Sequence, residues 1–112
     1  MANVTGSFTA TGQSGSFLPY VNARGTTNAF NIVLSGTAVA IVQLERSFDQ
    51  GSTWVKLTVN GTQLYKWSYD GSNTVNISET AEEPEQGVFY RLNCTSYTSG
   101  TLNYRISQGL QS

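Results

Sequence analysis

The chain contains no histidine, a single cysteine and only two prolines in 112 residues. Each shortage closes off a class of chemistry. Without histidine, the usual general base and the commonest metal ligand are both missing. The lone Cys94 has no partner for an internal disulfide. With no histidine to take its proton, it reads as a small buried hydrophobe on the same strand parity as Tyr90 and Leu92. Charged residues make up 12% of the sequence, about half the ordinary share, and Ser, Thr, Asn and Gln take their places. A net charge of −1 offers no basic face for DNA or RNA, so no nucleic-acid partner is expected. No apolar run approaches the ~18 residues of a membrane span, and residues 1–5 do not read as a signal peptide. The expectation is one soluble domain made in a cytoplasm, with no membrane partner, no metal and no cofactor. The sequons at Asn3, Asn60, Asn76 and Asn93 are taken as chance.

Helical periodicity is also lacking. No stretch repeats apolar residues at helical spacing for more than a turn, whereas β-branched and aromatic residues recur between closely spaced turn signals. Phe30, Ile32 and Leu34 alternate with polar or smaller neighbours, and Gly36 is expected to turn the chain. A long strand follows from Ala38 to Phe48. Val55, Leu57 and Val59 lead into Asn60-Gly61, the signature of a type I′ hairpin. That turn would pair Val59 with Thr62, Leu57 with Leu64, Lys56 with Tyr65 and Trp54 with Trp67. Val75 and Ile77 mark a further strand; Val88–Cys94 and Leu102–Ile106 read as two more. The count is seven good strands and two weak ones, expected to form an all-β, two-sheet antiparallel β-sandwich of jelly-roll type. Residues 1–28 read as an N-terminal arm or two weak strands joined by Gly12-Gln13, 29–108 as the sandwich domain and 109–112 as a loose tail.

The segment Ser47-Phe48-Asp49-Gln50-Gly51-Ser52-Thr53-Trp54 resembles the Asp-box, a β-hairpin turn found in sialidases and in many unrelated β-rich binding proteins. Its chemistry is structural. Asp49 would accept hydrogen bonds from turn N–H groups, Gly51 would supply a positive φ, and Trp54 would fold its indole back on the hairpin. A sialidase reading fails on size, since that fold is a much larger propeller with an arginine cluster.

Candidate chemistry is sparse. Glu82 with Glu83, or Asp49 with Glu45, are the nearest approach to paired carboxylates for glycoside hydrolysis. No serine has a visible base, and the chain is not expected to be an enzyme. The acidic stretch Glu79, Glu82, Glu83, Glu85 is open to three readings: a solvated connection, a docking loop for basic residues on a partner, or a calcium site, for which the usual Asp/Asn spacing is missing. Tyr65, Trp67 and Tyr69 are either core or an exposed platform for a sugar ring or a protein.

Three strings carry a wider resemblance. They are Val42-Gln43-Leu44-Glu45-Arg46 running into the Asp-box, Gly87-Val88-Phe89-Tyr90-Arg91-Leu92, and Tyr97-Thr98-Ser99-Gly100-Thr101-Leu102-Asn103-Tyr104-Arg105-Ile106-Ser107-Gln108. With them the chain resembles the capsid decoration (cement or staple) proteins of epsilon15-like short-tailed bacteriophages over its full length. That resemblance implies a jelly-roll sandwich on the outer surface of the virion. It would bridge neighbouring copies of the major capsid protein, as a homodimer on two-fold axes, and strengthen the shell. Phe8, Phe17, Tyr20 and Arg24 of the N-terminal segment, with Glu79, Glu82, Glu83 and Glu85, are the contact residues expected. A carbohydrate-binding or adhesion module, with glycan contact on the outer face, and a tail accessory domain are the other readings.

Overall fold

The computed structural model describes residues 3–19, 29–70, 75–83, 85 and 87–108. Nine strands occur among them, and no helix: β1 (Val4–Phe8), β2 (Gly12–Gln13), β3 (Ala29–Ser47), β4 (Val55–Lys56), β5 (Thr58–Val59), β6 (Thr62–Gln63), β7 (Lys66–Asp70), β8 (Val75–Glu82) and β9 (Phe89–Ser107). Seven share one antiparallel sheet, and β5 and β6 form a separate hairpin. The all-β expectation therefore holds, with a different construction. Two strands of 19 residues each, β3 and β9, pair from Asn31↔Ser107 to Ser47↔Phe89. Shorter strands line the ribbon's two edges: β8, β7 and β4 in succession along β3, β1 and β2 along β9.

Gly36 does not turn the chain; it lies within β3, and the two strands expected around Gly100 are likewise one. Both glycines have positive φ, 114° and 89°. A side chain on Gly36 would collide with the Thr101 carbonyl, and one on Gly100 with the Thr37 carbonyl. Two register shifts, between Val39/Ala40 and Ile41/Val42, follow immediately. Such irregularities increase local bending. Here they fold the ribbon back on itself. Phe30 and Arg46 sit 16 residues apart on β3, which a straight strand would separate by about 50 Å. Yet the ring of Phe30 lies 4.6 Å from that of Tyr90, and Tyr90 is the register partner of Arg46.

Alternation then fills the space between the two arms of the ribbon. Phe30, Ile32, Leu34, Ala38, Ala40, Val42 and Leu44 all lie on one parity of β3 and are buried, as are Tyr90, Leu92, Cys94, Leu102 and Ile106 of β9. The N-terminal segment is part of this core. β1 pairs with β9, and Phe17 bonds both ways to the Tyr90 backbone, at 2.7 and 2.8 Å. Gly12-Gln13 forms strand β2 and not the turn expected between two weak strands.

The Asn60-Gly61 turn is as expected, with φ of 52° and 82°, and Val59 faces Thr62. Leu57 and Leu64 also meet, by a 2.8 Å backbone bond. The hairpin stops there. Tyr65 takes φ 55° and turns the chain, so Lys66 and Trp67 pair with Gln43 and Val42, while Val55 and Lys56 pair with Arg46 and Glu45. The expected Lys56–Tyr65 and Trp54–Trp67 pairs are not formed because β3 offers both flanks a longer edge.

Gly100→Ala is expected to lower the unfolding free energy in urea by about 3 kcal/mol, from strain plus collision. Gly87→Ala, where nothing lies within 4 Å of the added methyl, should lose only the strain of a positive φ, about 1–2 kcal/mol. Equal losses would mean that the corner accommodates a side chain.

Candidate partner-contact surface

At the far end of β3 the Asp-box forms as its sequence suggests. Asp49 Oδ1 accepts from the Thr53 N–H at 2.8 Å and from the Ser47 hydroxyl at 2.8 Å. The Ser47 oxygen in turn accepts the Gly51 N–H at 2.8 Å. Gly51 has φ 93°, and the Trp54 indole N–H donates to its carbonyl at 3.0 Å. Backbone bonding from Thr53, then the Ser47 hydroxyl, holds the Asp49 carboxyl below the usual range. The arginine Arg91 stacks over Trp54, its Cζ 4.4 Å from the ring centroid, an energetically favourable cation–π placement.

Arg91 joins the turn to a polar ladder on the face of the sheet away from the core. Glu45 accepts from Arg91 Nε at 2.7 Å, from Gln43 at 2.6 Å and from Asn93 at 3.0 Å. Gln13 donates to Asn93 at 3.2 Å, and Gln63 to Gln43 at 3.1 Å. Burial alone would raise the Glu45 pKa; the bonds from Asn93, Gln43 and Arg91 outweigh it and leave the carboxyl below its ordinary value. Glu45 and Asp49 thus belong to separate hydrogen-bond sets, not to a carboxylate pair.

A second cluster clamps the two arms of the ribbon where their ends meet. Glu83 is fully buried. Its Oε1 accepts from Arg46 Nε at 2.9 Å and from the Tyr90 hydroxyl at 2.7 Å, and forms an ion pair with Arg46 Nη2. Its Oε2 accepts the Glu85 N–H at 3.0 Å. Burial works against the Arg46 charge, but the Glu83 contacts more than restore it. Burial, then the bond to Glu83, pushes the Tyr90 phenol up.

Of the contact residues expected from sequence, Phe8 and Phe17 are 4% and 1% exposed. They are core side chains, on strand parity with the apolar interior, and not free to meet a partner. Tyr20 and Arg24 lie outside the described residues. Glu83 is spent on the clamp, while Glu79, Glu82 and Glu85 are exposed; Glu79 and Glu82 lie on the edge strand β8 and not in a loop. Tyr65, Trp67 and Tyr69 are half-buried against the core, and the Tyr65 hydroxyl crosses to the Thr80 carbonyl at 3.3 Å. Tyr69 carries the one buried side-chain polar atom without a partner among the described residues. Burial, then the Glu79 charge, raises its pKa.

Sequence reasoning missed the exposed apolar residues. Leu18, Phe48, Val55 and Leu64 are 48%, 54%, 45% and 39% exposed; the Arg46 guanidinium lies over the Phe48 ring, and Val55 is the register partner of Arg46. Phe48 lies within the Asp-box at a position the motif leaves open, so the pattern carried no signal for it. No group of metal-ligating side chains occurs among the described residues, and no helix there is long and apolar enough to cross a membrane. No family model matches the chain, and neither a curated protein nor a solved structure matches it.

Removing one partner of the clamp leaves buried charge uncompensated. Glu83→Ala should cost about 3–5 kcal/mol in urea denaturation, and Arg46→Met combined with Glu83→Leu far less. A double variant as unstable as the single would count against this account. A second expectation concerns acid. Glu45 and Asp49 have folded-state pKa values below their unfolded ones. The folded state therefore binds fewer protons, and their contribution is complete above an unfolded value of about 4. It is lost as pH falls through the lower folded values. The melting temperature should drop below about pH 4, and Glu45→Gln should flatten part of that drop.

Proposed function

We propose that this chain is a non-catalytic capsid decoration protein, a jelly-roll-type sandwich that lies on the outer surface of a phage head. As a homodimer it clamps neighbouring copies of the major capsid protein. The observation that carries this reading is how the carboxylates are used. Glu45, Asp49 and Glu83 are all committed to internal hydrogen bonds. The ladder of Gln13, Asn93, Gln43 and Gln63 holds the surface between them stiff. A rigid surface rich in amides and hydroxyls suits many shallow hydrogen-bonded contacts repeated over a lattice, where avidity replaces a single strong site. The three sequence strings of the phage resemblance fall on β3 with its Asp-box and on β9, the strands that build the fold. A sugar-binding platform of Tyr65, Trp67 and Tyr69 has less support, because these rings turn toward the core.

Purified protein mixed with empty heads lacking it, and pelleted through a density cushion, should co-sediment and saturate at a fixed ratio to the major capsid protein. Folded protein left wholly in the supernatant would remove the decoration role and leave a glycan screen as the next experiment.

A further inference from the structure

The bend in the ribbon brings two edge strands together as well as the two arms. β8 and β7 pair with β3 before and after the Gly36 corner, and β9 takes the other edge of β3 on both sides of it. Register then fixes which side chains enter the cleft between β7 and β8. Trp67 and Tyr69 are partners of Val42 and Ala40 on the core face, and Ile77 and Glu79 are partners of Leu34 and Ile32 on that same face. Two links show that the strands meet across the cleft. The Tyr65 hydroxyl donates to the Thr80 carbonyl at 3.3 Å, and the Tyr69 phenol is pushed up by burial and then by the charge of Glu79. The Tyr65 and Trp67 rings stand at 61° with centroids 6.2 Å apart, two walls of a corner. Glu79 is exposed at the rim and enters no ion pair among the described residues. Lys66, the cation of β7, pairs with Gln43 on the outward face. The Tyr69 hydroxyl is buried without a partner, so it does not satisfy the carboxylate either.

We propose that this edge cleft binds an alkylammonium group, with Glu79 as its counter-ion and the Tyr65 and Trp67 rings as its walls. Charge selects the ligand class. An anion would be repelled by Glu79 and by the electron-rich ring faces. A neutral sugar laid across the rings would take Glu79 out of water with no charge to offset it. A cation gains from both features. An ammonium within ~6 Å of a Trp or Tyr centroid is attracted by the ring quadrupole, and its contact with a carboxylate is charge-assisted. A lysine side chain and a free amine end in this same group, and the cleft reads only that end. The site needs no capsid, so it stands or falls apart from the decoration role.

The test follows the two tryptophan indole N–H signals of the full-length protein by NMR while n-butylammonium chloride is added at fixed ionic strength. The Trp67 signal should shift and saturate with the millimolar affinity expected of so small a ligand. The Trp54 signal, from the ring beside Arg91, should stay still. n-Butanol, the neutral counterpart, should bind at least about tenfold more weakly. Glu79→Gln should weaken butylammonium binding by about tenfold too, the loss of one charge-assisted contact. The tripeptide Gly-Lys-Gly separates the two sources: tighter binding than butylammonium assigns a polypeptide lysine, and equal or weaker binding a free amine. A Trp67 signal that does not move, an equal response to butanol, or full binding by Glu79→Gln would each overturn the site. Sedimentation velocity on Glu79→Gln covers the structural alternative. Self-association of that variant with butylammonium binding retained would make the carboxylate a guard of the β8 edge and overturn its role as counter-ion.

Discussion

The closing of one long ribbon on itself governs everything else in this molecule. A 19-residue pair of strands has two faces, and in a flat sheet one of them could not be buried. The bend at Gly36 and Gly100, reinforced by the adjacent register shifts, brings the same face of both arms together. One sheet then does the work of two layers. The positive φ at both glycines and the closeness of the opposing carbonyls make the corner a backbone solution. The Tyr97 hydroxyl adds a 2.6 Å bond to the Gly100 carbonyl. The stacked core and the Arg46–Glu83–Tyr90 clamp become possible only once that corner exists.

The clamp and the polar ladder have different costs. Glu83 is fully buried, so its charge is tolerable only because four hydrogen bonds reach it. A buried pair of this kind adds little net stability over an apolar substitute and is severe to break. Its value is geometric: only when both arms are in register do Arg46, Tyr90 and Glu83 meet. Glu45 works on the opposite face, where it is 6% exposed and amides supply most of its partners. Between them the two clusters account for both ion pairs among the described residues.

The fold was legible in sequence where local chemistry decides. The alternation of Phe30, Ile32 and Leu34, the positive-φ pair Asn60-Gly61, and the Asp49, Gly51 and Trp54 positions of the Asp-box are short-range signals, and all three appear in the structure. Gly36 and Gly100 were less legible. A glycine amid strand residues signals either a turn or a bent continuous strand, and only the partner strand decides which. Tyr65 ended the hairpin at a positive φ that no propensity of a tyrosine suggests. Among the contact residues, Phe8 and Phe17 were read from a polar, glycine-rich neighbourhood; their burial depends on β9, about 80 residues away. The separation of Glu83 from the exposed Glu79, Glu82 and Glu85 was invisible for the same reason, because its partners Arg46 and Tyr90 come from other strands.

The pairing of β3 with β9 also dictates when the chain can begin to fold. Asn31 must find Ser107, and among the described residues β1 and β2 have no sheet neighbour but β9. Such distant contacts require loop closure before any reward and slow folding. On the ribosome, which makes the N-terminal part first, β1, β2 and β3 would wait without β9 until residues 89–107 had emerged. Few charges guard those waiting strands. A sequence so rich in Ser, Thr and Asn then serves a purpose before the fold exists: it keeps the growing polypeptide hydrated through a delay that its own topology imposes.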